Sequence, residues 1–288
     1  MTFASVLRAV ALAACLAALS WMAAQAPAPL KPLDVVRISN RLHVLMDPED
    51  NGNVAVYVTD EGVVLVDAKF ERHVPQMLEA IAKITDKPLR YLLSTHHHDD
   101  HTGGNAAITA KTGARGFAHT AAAGLMRARK MPGAPEMTFT SHAAIHLGGA
   151  TVEAYHFGRG HTAGDAVYVF PGERAAHVGD LVELVGPYVD RGAGGSGNDF
   201  PATVEKLFSL GTDVWIPGHG KPMTPETARL YQKDLAAALD RAREMHQRGV
   251  RKEDAVKEWN SEGLRYCCRT NIWKRSLPGI WDELAEAR

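Results

Sequence analysis

At 288 residues, with 45% hydrophobic and 23% charged side chains, the chain is long enough to bury a full core, as one large domain rather than two modest ones. A formal net charge of −1 and no dense basic stretch speak against a nucleic-acid-processing protein and leave a small molecule as the expected partner.

The first elements concern location. Residues 1–8 carry one positive charge, and residues 9–22 are an alanine- and leucine-rich run of signal-peptide character. Ala24-Gln25-Ala26 offers a small-x-small cleavage pattern, so residues 1–26 are expected to be a signal peptide and the mature protein periplasmic or secreted. Pro27 after the cleavage pattern keeps an uncleaved membrane anchor as the alternative. Leu12-Ala13-Ala14-Cys15 also resembles a lipobox, which would tether the chain by lipid.

A proline-rich linker, 27–34, leads into a catalytic domain expected over 35–222. Short strands are predicted at 35–38, 42–45, 54–59 and Val63–Val66, with Asp60-Glu61-Gly62 as the hairpin turn between the last two. Val64-Leu65-Val66-Asp67-Ala68 then puts an aspartate at the end of a strand. A helix follows at Val74–Ile84, and a strand at 89–93 delivers Thr95-His96-His97-His98-Asp99-Asp100-His101-Thr102-Gly103-Gly104. In an extended or tightly looped segment side chains two apart point the same way, so His96 and His98 can face one ion, with Asp100 and His101 on the next bend. Four donors on one short loop are too crowded for a single tetrahedral ion, and the natural division is two ions sharing the loop.

Helices are predicted near 105–111 and 120–130, and strands near 144–147 and 151–157. His161, in Gly160-His161-Thr162-Ala163-Gly164-Asp165, falls between the latter and a strand at 166–170. Asp180 follows a strand at 174–178, and His219 sits in the turn Gly218-His219-Gly220 that leaves Val214–Pro217. Each donor thus comes just after a strand, where α/β sheets present their chemistry. The glycine-rich stretch 192–197 reads either as a mobile loop beside the site or as a plain surface loop. His97 is a spacer whose ring should point away from its neighbours' ion; His43, His73, His119, His142, His146, His156, His177 and His246 lack paired donors at useful spacing and are assigned surface or satisfied-core roles.

Residues 223–288 form a helical extension expected to pack on the same domain. Pro225–Gln247 is one long amphipathic helix capped by Thr224, with Glu226 in its first turn and Gly249 beyond its end. Shorter helices are expected at 252–259 and 280–287, separated by an irregular piece containing Cys267, Cys268 and Trp273. The extension carries no catalytic motif, and an outer cover is preferred over a pocket wall or dimer contact. The adjacent cysteines leave a vicinal bridge, free thiols or an intermolecular bond open.

Taken together, His-x-His-x-Asp-His at residues 96–101 followed by His161, Asp180 and His219 in that order resembles the metallo-β-lactamase-fold hydrolases, from about Leu42 to Pro222. The resemblance implies an α/β fold, a four-layer αββα sandwich of two mixed β-sheets flanked by helices, with the metals at one sheet edge. It implies that His96, His98 and His161 hold one ion, Asp100, His101 and His219 a second, and that Asp180 bridges them while Asp67 supports the site from behind. Asp100 would also serve as a proton shuttle.

Two zinc ions fit five imidazoles and two carboxylates with no thiolate, although iron or manganese tolerate the same set. Asp100, Asp180 and a bridging hydroxide would leave the pair with a net charge near plus one, and a metal-bound water has its pKa lowered to about 7. The function implied is an exported di-zinc hydrolase in which a metal-bound hydroxide opens a small ester, lactone, thioester or cyclic amide. A periplasmic metallo-β-lactamase acting on β-lactams is the first alternative. Asp180 where some lactamases use cysteine, and His101 after the motif aspartate, favour the bridged arrangement of lactonases and glyoxalase II-like thioesterases. A noncatalytic metal- or partner-binding protein of the same fold is the second alternative.

Overall fold

The computed structural model describes residues 29–49, 51–184 and 186–286. The leader expected over residues 1–26 lies outside them, as does the start of the linker. Among the described residues no helix is long and apolar enough to cross a membrane. Contacts divide the chain at Lys31, and everything below concerns the unit from Pro32 onward.

Two sheets are stacked within that unit. The first places β1 (Asp34–Arg37), β2 (Leu42–Met46), β3 (Val54–Val58), β4 (Val63–Val66), β5 (Leu89–Ser94), β6 (Arg115–His119) and β7 (Met137–Phe139) side by side in chain order. It is antiparallel as far as β4 and parallel from β4 to β7. The second contains β8 (His142–Leu147), β9 (Ala150–Tyr155), β10 (Val167–Phe170), β11 (Ala175–Gly179) and β12 (Val214–Pro217), in spatial order β12-β11-β10-β9-β8, with only β11 and β12 parallel. Both sheets are therefore mixed. They are less alike than the repeated strand-loop-donor pattern suggests, with seven strands against five.

Eight helices among the described residues complete the unit: α1 (Val74–Ile84), α2 (Asp99–Thr102), α3 (Asn105–Thr112), α4 (Thr120–Ala128), α5 (Phe200–Leu207), α6 (Pro225–Gln247), α7 (Lys252–Glu258) and α8 (Asn271–Glu286). Between the sheets, Val44, Tyr57, Val66 and Leu93 from one meet Val152, Tyr168, Phe170 and Ile216 from the other. Val74, Met77 and Ile81 of α1 and Ile108 of α3 cover the far face of the first sheet. The far face of the second lies under α5, α6, α7 and α8 through Phe200, Tyr231, Leu235, Ala255, Trp273 and Trp281. That is the four-layer αββα arrangement.

Strands β6 and β7 have no counterpart in the sequence reading. Arg-Gly-Phe-Ala-His and Met-Thr-Phe lack the alternation and β-branched content that mark a strand, and parallel pairing of β6 with β5 and of β7 with β6 supplies what local propensity does not. At the C-terminus the last helix begins at Asn271, not 280, and takes in Trp273 with Pro278 inside it. Proline removes one helical hydrogen bond, and burial of Trp273, Leu277, Ile280 and Trp281 outweighs that loss. Cys267 and Cys268 form a vicinal disulfide packed in the same core.

His119 illustrates a satisfied-core histidine. Its Nδ1 accepts from the Ala121 amide at 3.3 Å, its Nε2–H donates to the Thr140 carbonyl at 2.9 Å, and its ring stacks on His156 with centroids 4.0 Å apart. Burial and the neighbouring imidazole push its pKa down to about 4. Because the unfolded chain binds this proton near pH 6.5 and the folded chain only near 4, the histidine makes stability fall as pH drops through that window. Denaturant unfolding of His119→Gln should accordingly show a shallower loss of stability from pH 6.5 to 4 than the parent chain; an unchanged slope would show that His119 does not contribute.

Candidate metal centre

Every donor singled out in the sequence arrives at one end of the stacked sheets. Asp67 follows β4, the His96–His101 string follows β5, His161 lies between β9 and β10, Asp180 follows β11 and His219 follows β12. The string itself bends into α2, whose first turn contains Asp99 and Asp100. His98 Nδ1 lies 3.1 Å from His96 Nε2 and 2.9 Å from His161 Nε2. His101 Nε2 lies 3.3 Å from His219 Nε2, and His219 Nε2 lies 3.2 Å from Asp100 Oδ2. Asp180 stands between these two groups: its Oδ2 is 3.7, 3.5 and 3.6 Å from the Nε2 atoms of His96, His161 and His219, and its Oδ1 is 3.3 Å from His101 Nε2.

The outer face of four of the five rings explains why the inner nitrogen points where it does. His101 Nδ1–H donates to Asp67 Oδ2 at 2.8 Å. His96 Nδ1–H donates to Thr95 Oγ1 at 3.0 Å, and that hydroxyl donates to Asp67 Oδ2 at 2.8 Å. The Thr95 amide adds a bond of 2.7 Å to Asp67 Oδ1, so one fully buried carboxylate orients a ring in each group. His161 Nδ1–H donates to the Tyr188 carbonyl at 2.5 Å and His98 Nε2–H to Asp190 Oδ2 at 3.0 Å. An imidazole whose outer nitrogen carries the proton offers its inner lone pair to a cation.

Local backbone holds the loops in place. The His161 loop is closed by Asp165, which accepts from the Thr162 amide at 2.9 and 3.0 Å. The His219 turn is clamped by Asn53, whose amide side chain donates to the carbonyls of Pro217 at 2.9 Å and Gly220 at 2.7 Å. A β-carbon on Gly218 would come within 1.8 Å of Asp180 Oδ1, so only glycine leaves room for that carboxylate.

Electrostatics without an ion show how strongly the place favours positive charge. Burial alone would lower the pKa of His101, yet Asp180, Asp100 and Asp67 hold it at about 9. His219 is held well above the usual imidazole range against the same opposition, by Asp180 and Asp100. The Asp180 carboxyl stays well below the carboxylate range despite its burial, because His101, His219, His96 and His161 surround it. His161, which has more neighbouring imidazole than carboxylate, is pushed down to about 4 by burial.

The donor set fits divalent metal. Asp180 Oδ1 is buried without a hydrogen-bond partner among the described residues, and two imidazole nitrogens converge on a third. Tetrahedral zinc with bonds of ~2.0–2.1 Å separates its nitrogen ligands by roughly 3.3 Å, and the inner nitrogens here lie 2.9, 3.1 and 3.3 Å apart. His96, His98, His161 and Asp180 could hold one ion, and Asp100, His101 and His219 another.

A cavity of about 390 Å³ opens onto these donors, lined by Phe70, Asp99, Glu183, Tyr188, Ile272 and Arg275 besides His98, Asp100, His161, Asp180 and His219. Two sequence expectations change here. The C-terminal extension is not merely an outer cover, since α8 supplies Ile272 and Arg275 to the cavity wall. Residues 192–197 are neither a loose site loop nor a surface loop. They pack behind His161, with the Ser196 amide on the Gly160 carbonyl at 3.0 Å, the Gly197 amide on buried Glu283 at 2.8 Å and the Ser196 hydroxyl on the same carboxylate. His97 is buried, with neither ring nitrogen hydrogen-bonded among the described residues, and its pKa is pushed down to about 3 by burial.

Asp190, Tyr188, Glu183 and Asn53 escaped the sequence reading. Glu183 carried one signal, an acid inside the apolar run Leu181-Val182-Glu183-Leu184; it is buried and groups with Asp180 and His219.

Comparison with known proteins agrees with this geometry. A family model described as the metallo-beta-lactamase superfamily matches residues 47–219. The chain is 33% identical over 158 residues to a hydroxyacylglutathione hydrolase of Acidiphilium cryptum (strain JF-5), covering 54% of this chain and 61% of that protein. It is 27% identical over 158 residues to a metallo-beta-lactamase type 2 of Elizabethkingia meningoseptica, covering 54% and 62%. The chain thus spans about three fifths of the length of these two relatives. A solved metallo-beta-lactamase from Pontibacter korlensis superposes with a TM-score of 0.64 at 24% identity, over 71% of this chain and 99% of that one, a likeness of fold. By the family model, which spans more than half of its length, this chain belongs to the metallo-beta-lactamase superfamily.

Proposed function

We propose that the protein is an exported di-zinc hydrolase that opens a small ester, lactone, thioester or cyclic amide. The observation that carries this reading is the placement of Asp180, whose two oxygens stand between three imidazoles of one group and two of the other. His96, His98 and His161 would hold one ion, and Asp100, His101 and His219 the other, with Asp180 shared. When bound, such ions supply a water acidified to near neutrality and Lewis-acid stabilisation of the developing oxyanion. Asp100, in the cavity lining 3.2 Å from His219 Nε2, would pass a proton toward the leaving group. Export rests on the character of the leader.

The residues of the cavity limit what fits. Phe70, Tyr188 and Ile272 give it an apolar side, and Arg275 is the one arginine or lysine in its lining, stacked over the Tyr188 ring with its guanidinium 5.2 Å from the centroid. No carboxylate among the described residues pairs with Arg275, so an anionic group on the substrate is its natural partner. Relatives named for hydroxyacylglutathione hydrolysis and for β-lactam cleavage both support acyl transfer to water. The bridging position of Asp180 favours a lactone or thioester, and the β-lactamase relative keeps a β-lactam as the second reading.

The test is a hydrolysis screen of the zinc-loaded protein against lactones, thioesters, β-lactams and phosphoesters, each acyl substrate as a carboxylate and as its neutral ester, with and without chelator. Chelator-sensitive turnover of an acyl substrate is expected. Arg275→Ala should raise KM for the carboxylate member by about tenfold, the loss of ~1.4 kcal/mol of ion pairing, and leave the neutral member nearly unchanged. No turnover of any class by fully loaded protein would overturn the enzyme reading.

A further inference from the structure

His98 is the donor whose orientation is least determined by its own loop. It is half-buried, and neither Asp67 nor Thr95 reaches it. Its outer nitrogen is held by a residue 92 positions further along the chain, Asp190, through Oδ2 at 3.0 Å. The same aspartate holds a second donor through its main chain, since its amide donates to the His161 carbonyl at 2.9 Å. Two residues earlier the Tyr188 carbonyl takes the His161 Nδ1 proton.

Asp190 is itself well anchored. Its carbonyl accepts from the Gly195 amide at 2.8 Å and its Oδ1 from the Ala193 amide at 3.1 Å. Arg129, just beyond α4, brings a guanidinium nitrogen to 3.7 Å of Oδ2. The segment is latched to α8 by the Val189 amide, which donates to the buried Ser276 hydroxyl at 2.9 Å, and by Arg275 over the Tyr188 ring.

We infer that Asp190 is the positioning residue of the first donor group: its carboxylate keeps the His98 proton on Nε2 and so commits Nδ1 to the ion, while its amide sets the height of His161. Asp67 does the corresponding work for His101 and, through Thr95, for His96. The centre therefore has two independent supports, one built into the first sheet and one hung from the C-terminal helix. This inference rests on the two-ion reading above. A carboxylate on the outer nitrogen both fixes the tautomer and makes the ligand more basic, an effect worth about 10–100-fold in metal affinity.

The two supports can be separated by zinc titration of single-group backgrounds, His219→Ala to retain the first group and His161→Ala to retain the second. Asp190→Ala should weaken zinc binding about 10–100-fold in the first background and leave the second within about twofold. Asp190→Asn, which keeps an acceptor oxygen, should recover part of the loss. Long-range ¹⁵N–¹H spectra of the metal-free full chain should show His98 protonated on Nε2 in the parent and in the Asn variant, and a mixture of tautomers in the Ala variant. An unchanged first-group affinity, or an equal loss in both backgrounds, would overturn the positioning role, as would an unchanged His98 tautomer in the Ala variant. If the parent chain fails to bind two zinc ions, it is the two-ion reading that falls, a result distinguishable from either.

Discussion

Asp180→Asn is expected to lose most of the second ion and to lower turnover by on the order of 10³-fold, about 4 kcal/mol of transition-state stabilisation. The substitution keeps the size of the side chain, which matters because Gly218 leaves no spare room beside Oδ1. What it removes is the negative charge that sits within 3.3–3.7 Å of His96, His101, His161 and His219. Two cations held close together need a shared anion between them, and an amide oxygen does not supply one. Metal content per chain and kcat should fall together. If both were unchanged, Asp180 would not be the bridge.

The second large effect is expected at Asp67. Replacing it by alanine removes the acceptor of the Thr95 amide, the Thr95 hydroxyl and the His101 ring, all in a fully buried place. Unsatisfied buried donors cost about 1–3 kcal/mol each, so the metal-free protein should lose roughly 3 kcal/mol or more of stability. Affinity for the ion held by His101 should drop about 10–100-fold as its ring loses its tautomer. A further contribution comes from the backbone, because Asp67 has φ of +67°, a region that alanine adopts with strain and asparagine tolerates. Asp67→Asn should therefore be intermediate by denaturant unfolding and by zinc titration. An alanine variant with unaltered midpoint and affinity would contradict the role.

The convergence of seven His and Asp side chains was legible because their chemistry is concentrated in the loops that follow strands. The same applies to α6, where Thr224 caps the helix and Pro225 opens it, as the sequence indicates. The supports were not legible. Asp190 meets His98 from 92 positions away, Asn53 meets the Pro217 carbonyl from 164, and neither carries a local pattern that marks it. Asp67 is legible only through the family resemblance, helped by its place at the end of a clear strand.

Packing also overrode local signals. Pro278 argues for a helix starting near 280, yet Trp273 and Leu277 bury one continuous face of α8 from Asn271. The glycines of residues 192–197 suggest looseness, whereas the buried Glu283 carboxylate binds the Gly197 amide from 86 positions further along the chain. The lack of a motif in residues 223–288 argues for an outer cover and hides the part α8 plays in the cavity.

The most direct test of the two-ion account is an anomalous-difference map of crystals of the zinc-loaded protein. Two peaks are predicted. One should lie ~2.0–2.2 Å from His96 Nε2, His98 Nδ1 and His161 Nε2, the other at similar distances from Asp100, His101 Nε2 and His219 Nε2, with Asp180 between them. A single peak, or a peak held instead by His97 and Asp190, would contradict it.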